Sequence, residues 1–205
     1  MFPPSYCAPK IRTGSPGYPP VSQPPWSVRL QLAPPPWSVQ LKWIFHENFD
    51  TNAPFVTREV MLARMESYIK QVFEKLDEYG YTDLFYAYDV VNEAWMEDGK
   101  IREEMNFWYQ IIGEDYLWHA FNYANKYAPE SIDLYYNDYN EQYKTDALLK
   151  FVDTLVDEEG NYLIDGIGLQ AHIPFSRAQS SILTMSVLNS TTRSPASILA
   201  VLSRI

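Results

Sequence analysis

No aspartate or glutamate occurs in the first 40 or the last 30 residues of this 205-residue chain. All 26 acidic residues lie between Glu47 and Asp165, and the 16 Lys and Arg are spread more evenly, so the formal net charge of −10 hides an acidic body between two basic flanks. A body of that sign repels nucleic acid phosphates and anionic membranes, which argues against partners of either kind and favours a neutral substrate. The single cysteine, Cys7, excludes an internal disulfide. No apolar run is long enough to span a bilayer, and the opening MFPPSYCAPK lacks the charged and apolar regions of a signal peptide. No spacing of His with carboxylates suggests a catalytic metal, so no cofactor is expected.

What is present divides into three compositions. Residues 1–42 hold 11 of the 15 prolines and the near-repeat PPWSVRLQLA, PPPWSVQL. Proline at that density fixes φ and removes donors, which predicts an extended or disordered leader, read here as non-native to the remainder. Residues 176–205 contain eight serines and no acid. This tail is of uncertain structure; an amphipathic helical tail is one reading, a replaced or misread C-terminus the preferred one.

Residues 43–175 are regular. Thr57 is a plausible N-cap, and Leu62, Met65, Ile69, Val72 and Leu76 recur at helical spacing until Gly80. TDLFYAYDVVNEA then reads as a buried strand. A second helix is expected from about Glu114 to Lys126, a strand in SIDLYYNDYN, a third helix from about Gln142 to Glu158, and a strand in LIDGIGLQAHI. This alternation predicts an α/β fold with a parallel sheet. The three strands end in polar clusters: Asn92 and Glu93, Asn137 and Asp138, Gln170 and His172. In a barrel those ends share one rim, and the lack of a glycine-rich loop after any strand argues against a nucleotide-binding open sheet.

DVVNEA at 89–94, LYYNDYN at 134–140 and DGIGLQAH at 165–172, in that order, resemble three strand-end motifs of glycoside hydrolase family 10, the endo-1,4-β-xylanases. FHENFDTNAPFVTREVMLARMESYI resembles the loop and helix after the family's third strand, so the likeness covers about residues 43–174. It implies a partial TIM (β/α)8 barrel, from the third loop and helix through the sixth strand, and hydrolysis of xylan by a retaining two-carboxylate mechanism. Glu93 corresponds to the acid/base. Asn92 corresponds to the residue holding the sugar 2-hydroxyl, while Gln170 and His172 orient carboxylates. Trp95 and Tyr139 are candidates to border the cleft, where sugars stack on rings. Xylan or xylo-oligosaccharide is the implied partner and an extracellular location the implied compartment.

Each assignment has a plainer reading: Asn92 with Glu93 as a capping pair, His172 as a core histidine, and Asp138 as a structural acceptor rather than a catalyst. The family's nucleophile comes from a seventh strand of Thr-Glu-Leu-Asp type, whereas no acid follows Asp165. The chain is therefore expected to be inactive alone, and a non-catalytic carbohydrate-binding remnant is the alternative. Two open sheet edges would favour self-association.

Overall fold

The structure, a computed structural model, describes residues 28–31, 39–104, 106–170 and 199–202. Among them is one parallel sheet in the order β1 (Val28–Gln31), β2 (Phe85–Asn92), β3 (Asp133–Asp138), β4 (Gly166–Leu169), β5 (Leu199–Leu202). Sequential order with every neighbour parallel demands a crossover between strands, and helices supply it. Helices α2 (Phe107–Ile112) and α3 (Tyr116–Tyr127) join β2 to β3, and α4 (Thr145–Thr154) joins β3 to β4. This is part of a (β/α) barrel.

The long helix α1 (Arg58–Glu78) begins and ends as its sequence requires. The Thr57 hydroxyl accepts the Val60 N–H, and Gly80 takes the left-handed conformation (φ 67°) just beyond the end. Its innermost stripe is Met61, Met65, Ile69 and Phe73. Leu62, Val72 and Leu76, expected in that stripe, flank it as partly buried neighbours. Polar pairs fasten the two ends of α3 to the N-terminal half of α1: Arg58 with Asp115 (2.6 Å) and Lys126 with Glu66 (2.7 Å).

In β2 every residue from Ala87 to Asn92 is buried, as expected of a strand covered on both faces. Leu117, Phe121 and Ala124 of α3 and Leu148, Phe151 and Val152 of α4 complete the core.

Three expectations need correcting. The proline-rich leader contributes β1: VRLQ is a proline-free interval whose backbone donors remain available for pairing with β2. The serine-rich tail likewise contributes β5, paired with β4. The third helix spans Thr145–Thr154 rather than 142–158. Residues Glu141–Tyr143 form a separate 3₁₀ turn. Beyond Thr154, the Asp157 carboxylate accepts the N–H groups of Glu159 (3.0 Å) and Asn161 (2.7 Å), turning the chain into a Val156–Tyr162 bridge. Helix α2 was not anticipated; Asn106 caps its start and Gly113, at φ 103°, ends it.

Candidate active site

Register builds the site. Asn92 pairs with Asn137 across β2 and β3, and Asp138 pairs with Leu169 across β3 and β4, so the three strand ends reach one rim together. Asn137 donates from Nδ2 to Asn92 Oδ1 at 2.6 Å. Gln170, one residue beyond β4, donates from Nε2 to Glu93 Oε1 at 2.7 Å and to Asn92 Oδ1 at 3.1 Å. Gln170, 77 residues beyond Glu93 and 78 beyond Asn92 in the chain, thus meets both in one hydrogen-bonded cluster. Each is less than a tenth exposed.

Glu93 occupies the first position beyond β2 in the left-handed region, at φ 57°. That conformation costs a non-glycine residue about 1–2 kcal/mol and persists only where the surroundings impose it. Here they do. The Glu93 N–H donates to Asn137 O at 2.8 Å. The next two amides, of Ala94 and Trp95, donate to the Tyr136 hydroxyl at 3.0 and 3.2 Å. Arg102 donates from Nε to the Glu93 carbonyl at 3.3 Å and from its guanidinium to the Tyr139 hydroxyl at 3.2 Å. Backbone and one carboxylate oxygen are therefore fixed, while Glu93 Oε2 is buried and has no hydrogen-bond partner among the described residues. An orphaned carboxylate oxygen beside held polar groups is an arrangement suited to transferring a proton to a ligand.

Beneath the rim lies a second cluster. The Tyr136 hydroxyl donates to Asp138 Oδ2, and Asp138 Oδ1 accepts from Lys144 Nζ at 2.7 Å and from the Tyr139 N–H at 2.8 Å. Lys144 also donates to Trp95 O at 2.8 Å, and both its side chain and that of Asp138 are wholly buried. Burial raises the Asp138 pKa, opposed first by the Lys144 charge. Asp138 is thus a structural acceptor, as the sequence suggested. Its neighbour Glu141, 2% exposed, accepts the Gln170 N–H at 3.1 Å through Oε1. Burial pushes its carboxyl up to about 7.

These motifs belong to a recognisable whole. The model for Glycosyl hydrolase family 10 matches residues 36–198, more than three quarters of the chain. The chain belongs to glycosyl hydrolase family 10.

Among this family's members, the chain is 45% identical over 131 residues to a putative endo-1,4-β-xylanase of Caldicellulosiruptor saccharolyticus, matching 63% of itself and 41% of that relative. It is 38% identical over 137 residues to an endo-1,4-β-xylanase of Geobacillus stearothermophilus, 66% of this chain and 38% of that one. It therefore spans less than half the length of these family 10 relatives. Among solved structures, the N-terminal endo-1,4-β-D-xylanase 10B of Clostridium thermocellum, complexed with xylohexaose, superposes with a TM-score of 0.66 at 34% identity, over 78% of this chain and 34% of that one. An intracellular xylanase of Thermoanaerobacterium saccharolyticum complexed with xylotetraose gives 0.65 at 31% identity, over 78% and 47%.

Of the family 10 residues anticipated, Asn92, Glu93 and Gln170 converge, and Tyr139 joins them through Arg102. His172 lies outside the described residues. Trp95 is a correction. Instead of bordering the rim it pairs with Ile101, and its indole lies 5.9 Å from the ring of Phe151 in α4. The left-handed turn at Glu93 breaks strand alternation, so the side chain two residues on no longer follows the face it would have had in an extended strand. A surface pocket of ≈ 540 Å³ beside Trp95 is lined by Asp98, Tyr143 and Lys144 and does not include Glu93. The sequence reading assigned no role to Tyr136, Arg102, Glu141 or Lys144. For Tyr136 a signal existed: it precedes Asp138 by two residues, which puts both on one face of β3.

Proposed function

We propose that Glu93 is the general acid/base of an endo-1,4-β-xylanase site that acts with retention. The observation carrying this is the state of its carboxylate: one oxygen held by Gln170, the other buried and without a partner among the described residues, on a strand-end rim shared with Asn92. On this reading Oε2 delivers a proton to the glycosidic oxygen and afterwards takes one from the incoming water. Asn92 has committed Oδ1 to Asn137 and Gln170, and its Nδ2 donates to the sugar hydroxyl next to the cleaved bond. Tyr139, half-buried at the mouth, offers its ring to the substrate. Xylan, being neutral, suits the acidic body.

Retention requires a second carboxylate about 5–5.5 Å from the first. Asp138 is committed to Lys144, Tyr136 and Tyr139, and Glu141 to Gln170, so neither takes that role. No acid follows Asp165. The commitment of both carboxylates favours a second reading, in which the rim binds xylo-oligosaccharide without cleaving it.

A chimera separates the two. Residues 39–170 are placed in the catalytic domain of the Caldicellulosiruptor relative in exchange for its matching segment. Release of reducing ends from xylan, abolished by Glu93→Ala, supports the acid/base. A folded chimera that binds xylo-oligosaccharide without turnover overturns it.

A further inference from the structure

Among the described residues, Gln170 is the one side chain hydrogen-bonded to the side chains of both Glu93 and Asn92, yet it stands outside the strand ladder. β4 ends at Leu169, and the backbone N–H of Gln170 is shared between Asp138 O at 2.8 Å and Glu141 Oε1 at 3.1 Å. Two acceptors on one donor hold the base of a side chain whose far end sets Glu93. One of those acceptors is a main-chain carbonyl and cannot change; the other is a carboxylate and can. Glu141 is placed for this by Asn140, whose left-handed backbone (φ 52°) starts the 3₁₀ turn, and by its own carbonyl, which accepts from Lys144 N (3.1 Å) and Thr145 Oγ1 (3.0 Å).

We propose that Glu141 is a positioning residue for Glu93: its ionised carboxylate anchors the Gln170 backbone, and protonating it loosens that anchor and the reach of the Gln170 amide to Glu93 and Asn92. A hydrogen bond to an ionised acceptor is roughly twice as strong as one to a neutral acceptor, so one proton on Glu141 is felt two bonds away at the rim. The charged groups facing Glu141 are Asp138 from β3, which disfavours its ionisation, and Lys144 from its own turn, which favours it. Burial dominates both and sets the midpoint at about 7. The consequence for catalysis rests on Glu93 being the acid/base; the linkage from Glu141 through Gln170 does not.

The test therefore needs no turnover. The 205-residue chain, with ¹⁵N-labelled glutamine, is sedimented and read by magic-angle-spinning NMR, which reports equally on monomers and assemblies. The Gln170 backbone and side-chain resonances are assigned by their loss in Gln170→Met. Both should move with one midpoint near 7 in the wild type. Glu93→Gln should leave the backbone titration in place, and Glu141→Gln should abolish it. Glu141→Asp, which withdraws the carboxylate by one methylene, should shrink the backbone shift at least twofold and serves as the second variant if Glu141→Gln fails to fold. Wild-type Gln170 resonances that stay fixed through neutral pH overturn the proposal, as does a backbone titration that survives Glu141→Gln or disappears in Glu93→Gln. Failure of the xylan chimera with a positive NMR result would sink the acid/base reading alone.

Discussion

Replacing Lys144 by methionine should be among the most damaging single changes available to this chain. The Lys144 ammonium is wholly buried and divides its donors between Asp138 Oδ1 (2.7 Å) and Trp95 O (2.8 Å), so it ties the end of β3 to the turn that follows Glu93. Methionine keeps the volume and removes the charge. Asp138 is left with the Tyr136 hydroxyl and the Tyr139 N–H, and the Trp95 carbonyl loses its partner. Breaking a buried pair by removing one member costs about 3–5 kcal/mol, a large share of the roughly 5–15 kcal/mol that holds a domain together. The pH dependence supplies a second check. The Asp138 pKa is already raised by burial. The folded state thus holds its proton more tightly than the unfolded state does, and stability falls as pH rises from the usual carboxylate range through the folded pKa. Removing Lys144 raises the folded pKa further, so the penalty should be smaller near pH 5 than near pH 8. Adding Asp138→Asn should recover part of the loss at the higher pH by removing the unpaired charge. Urea unfolding followed by near-ultraviolet circular dichroism measures all three. A Lys144→Met penalty below about 1 kcal/mol, or one that is equal at both pH values and additive with Asp138→Asn, would refute the account of this pair.

Other consequences are as direct. Glu93→Gly should change stability by no more than about 1 kcal/mol, because relief of the left-handed backbone offsets the lost Gln170 bond, while ending any turnover; a larger loss in urea unfolding counts against strain at this position. Glu141, whose midpoint rises from 4.5 to about 7 on folding, should withdraw about 3 kcal/mol of stability as pH climbs through that interval, and Glu141→Gln should remove this slope from a plot of urea midpoint against pH. An unchanged slope would place the titrating group elsewhere. Among the described residues β1 and β5 each pair on one side alone, so the isolated chain should self-associate, giving species heavier than 23.9 kDa in sedimentation velocity; a monodisperse monomer would contradict this.

What was legible in the sequence is what depends on local pattern. Parallel strands buried on both faces appear as apolar runs, and the polar residues that stop them mark the rim; hence Asn92, Glu93 and Gln170 are legible as one group from the strand ends alone, and the structure joins them by hydrogen bonds. Thr57 and Gly80 bound α1 for equally local reasons. What escaped depends on backbone torsion or on distant partners. Nothing in VNEAW announces that Glu93 adopts φ 57°, and the misplacement of Trp95 follows from that single torsion. Glu141 and Lys144 sit in EQYKTD, which looks like the polar first turn of a helix. Their roles come from a partner 29 residues downstream in one case and a carbonyl 49 residues upstream in the other. Helix α2 escaped because its six residues are too few for a helical period to show, although the expected start near Glu114 already placed α3 beyond Gly113. Compartment was not legible either: one of the structural relatives is an intracellular xylanase, so family membership does not carry an extracellular location with it.

On the proposed reading Glu93 gives up a proton to the departing sugar, so a change of leaving group is the sharpest probe of its role. In the chimera carrying residues 39–170, Glu93→Gln should slow xylan hydrolysis by about 10²–10⁴-fold, because a sugar hydroxyl leaves poorly without an acid. A dinitrophenyl xylobioside, whose phenolate leaves unaided, should release its phenol in the first turnover at nearly the wild-type rate. Equal losses on the two substrates, or no loss on xylan, would contradict the account.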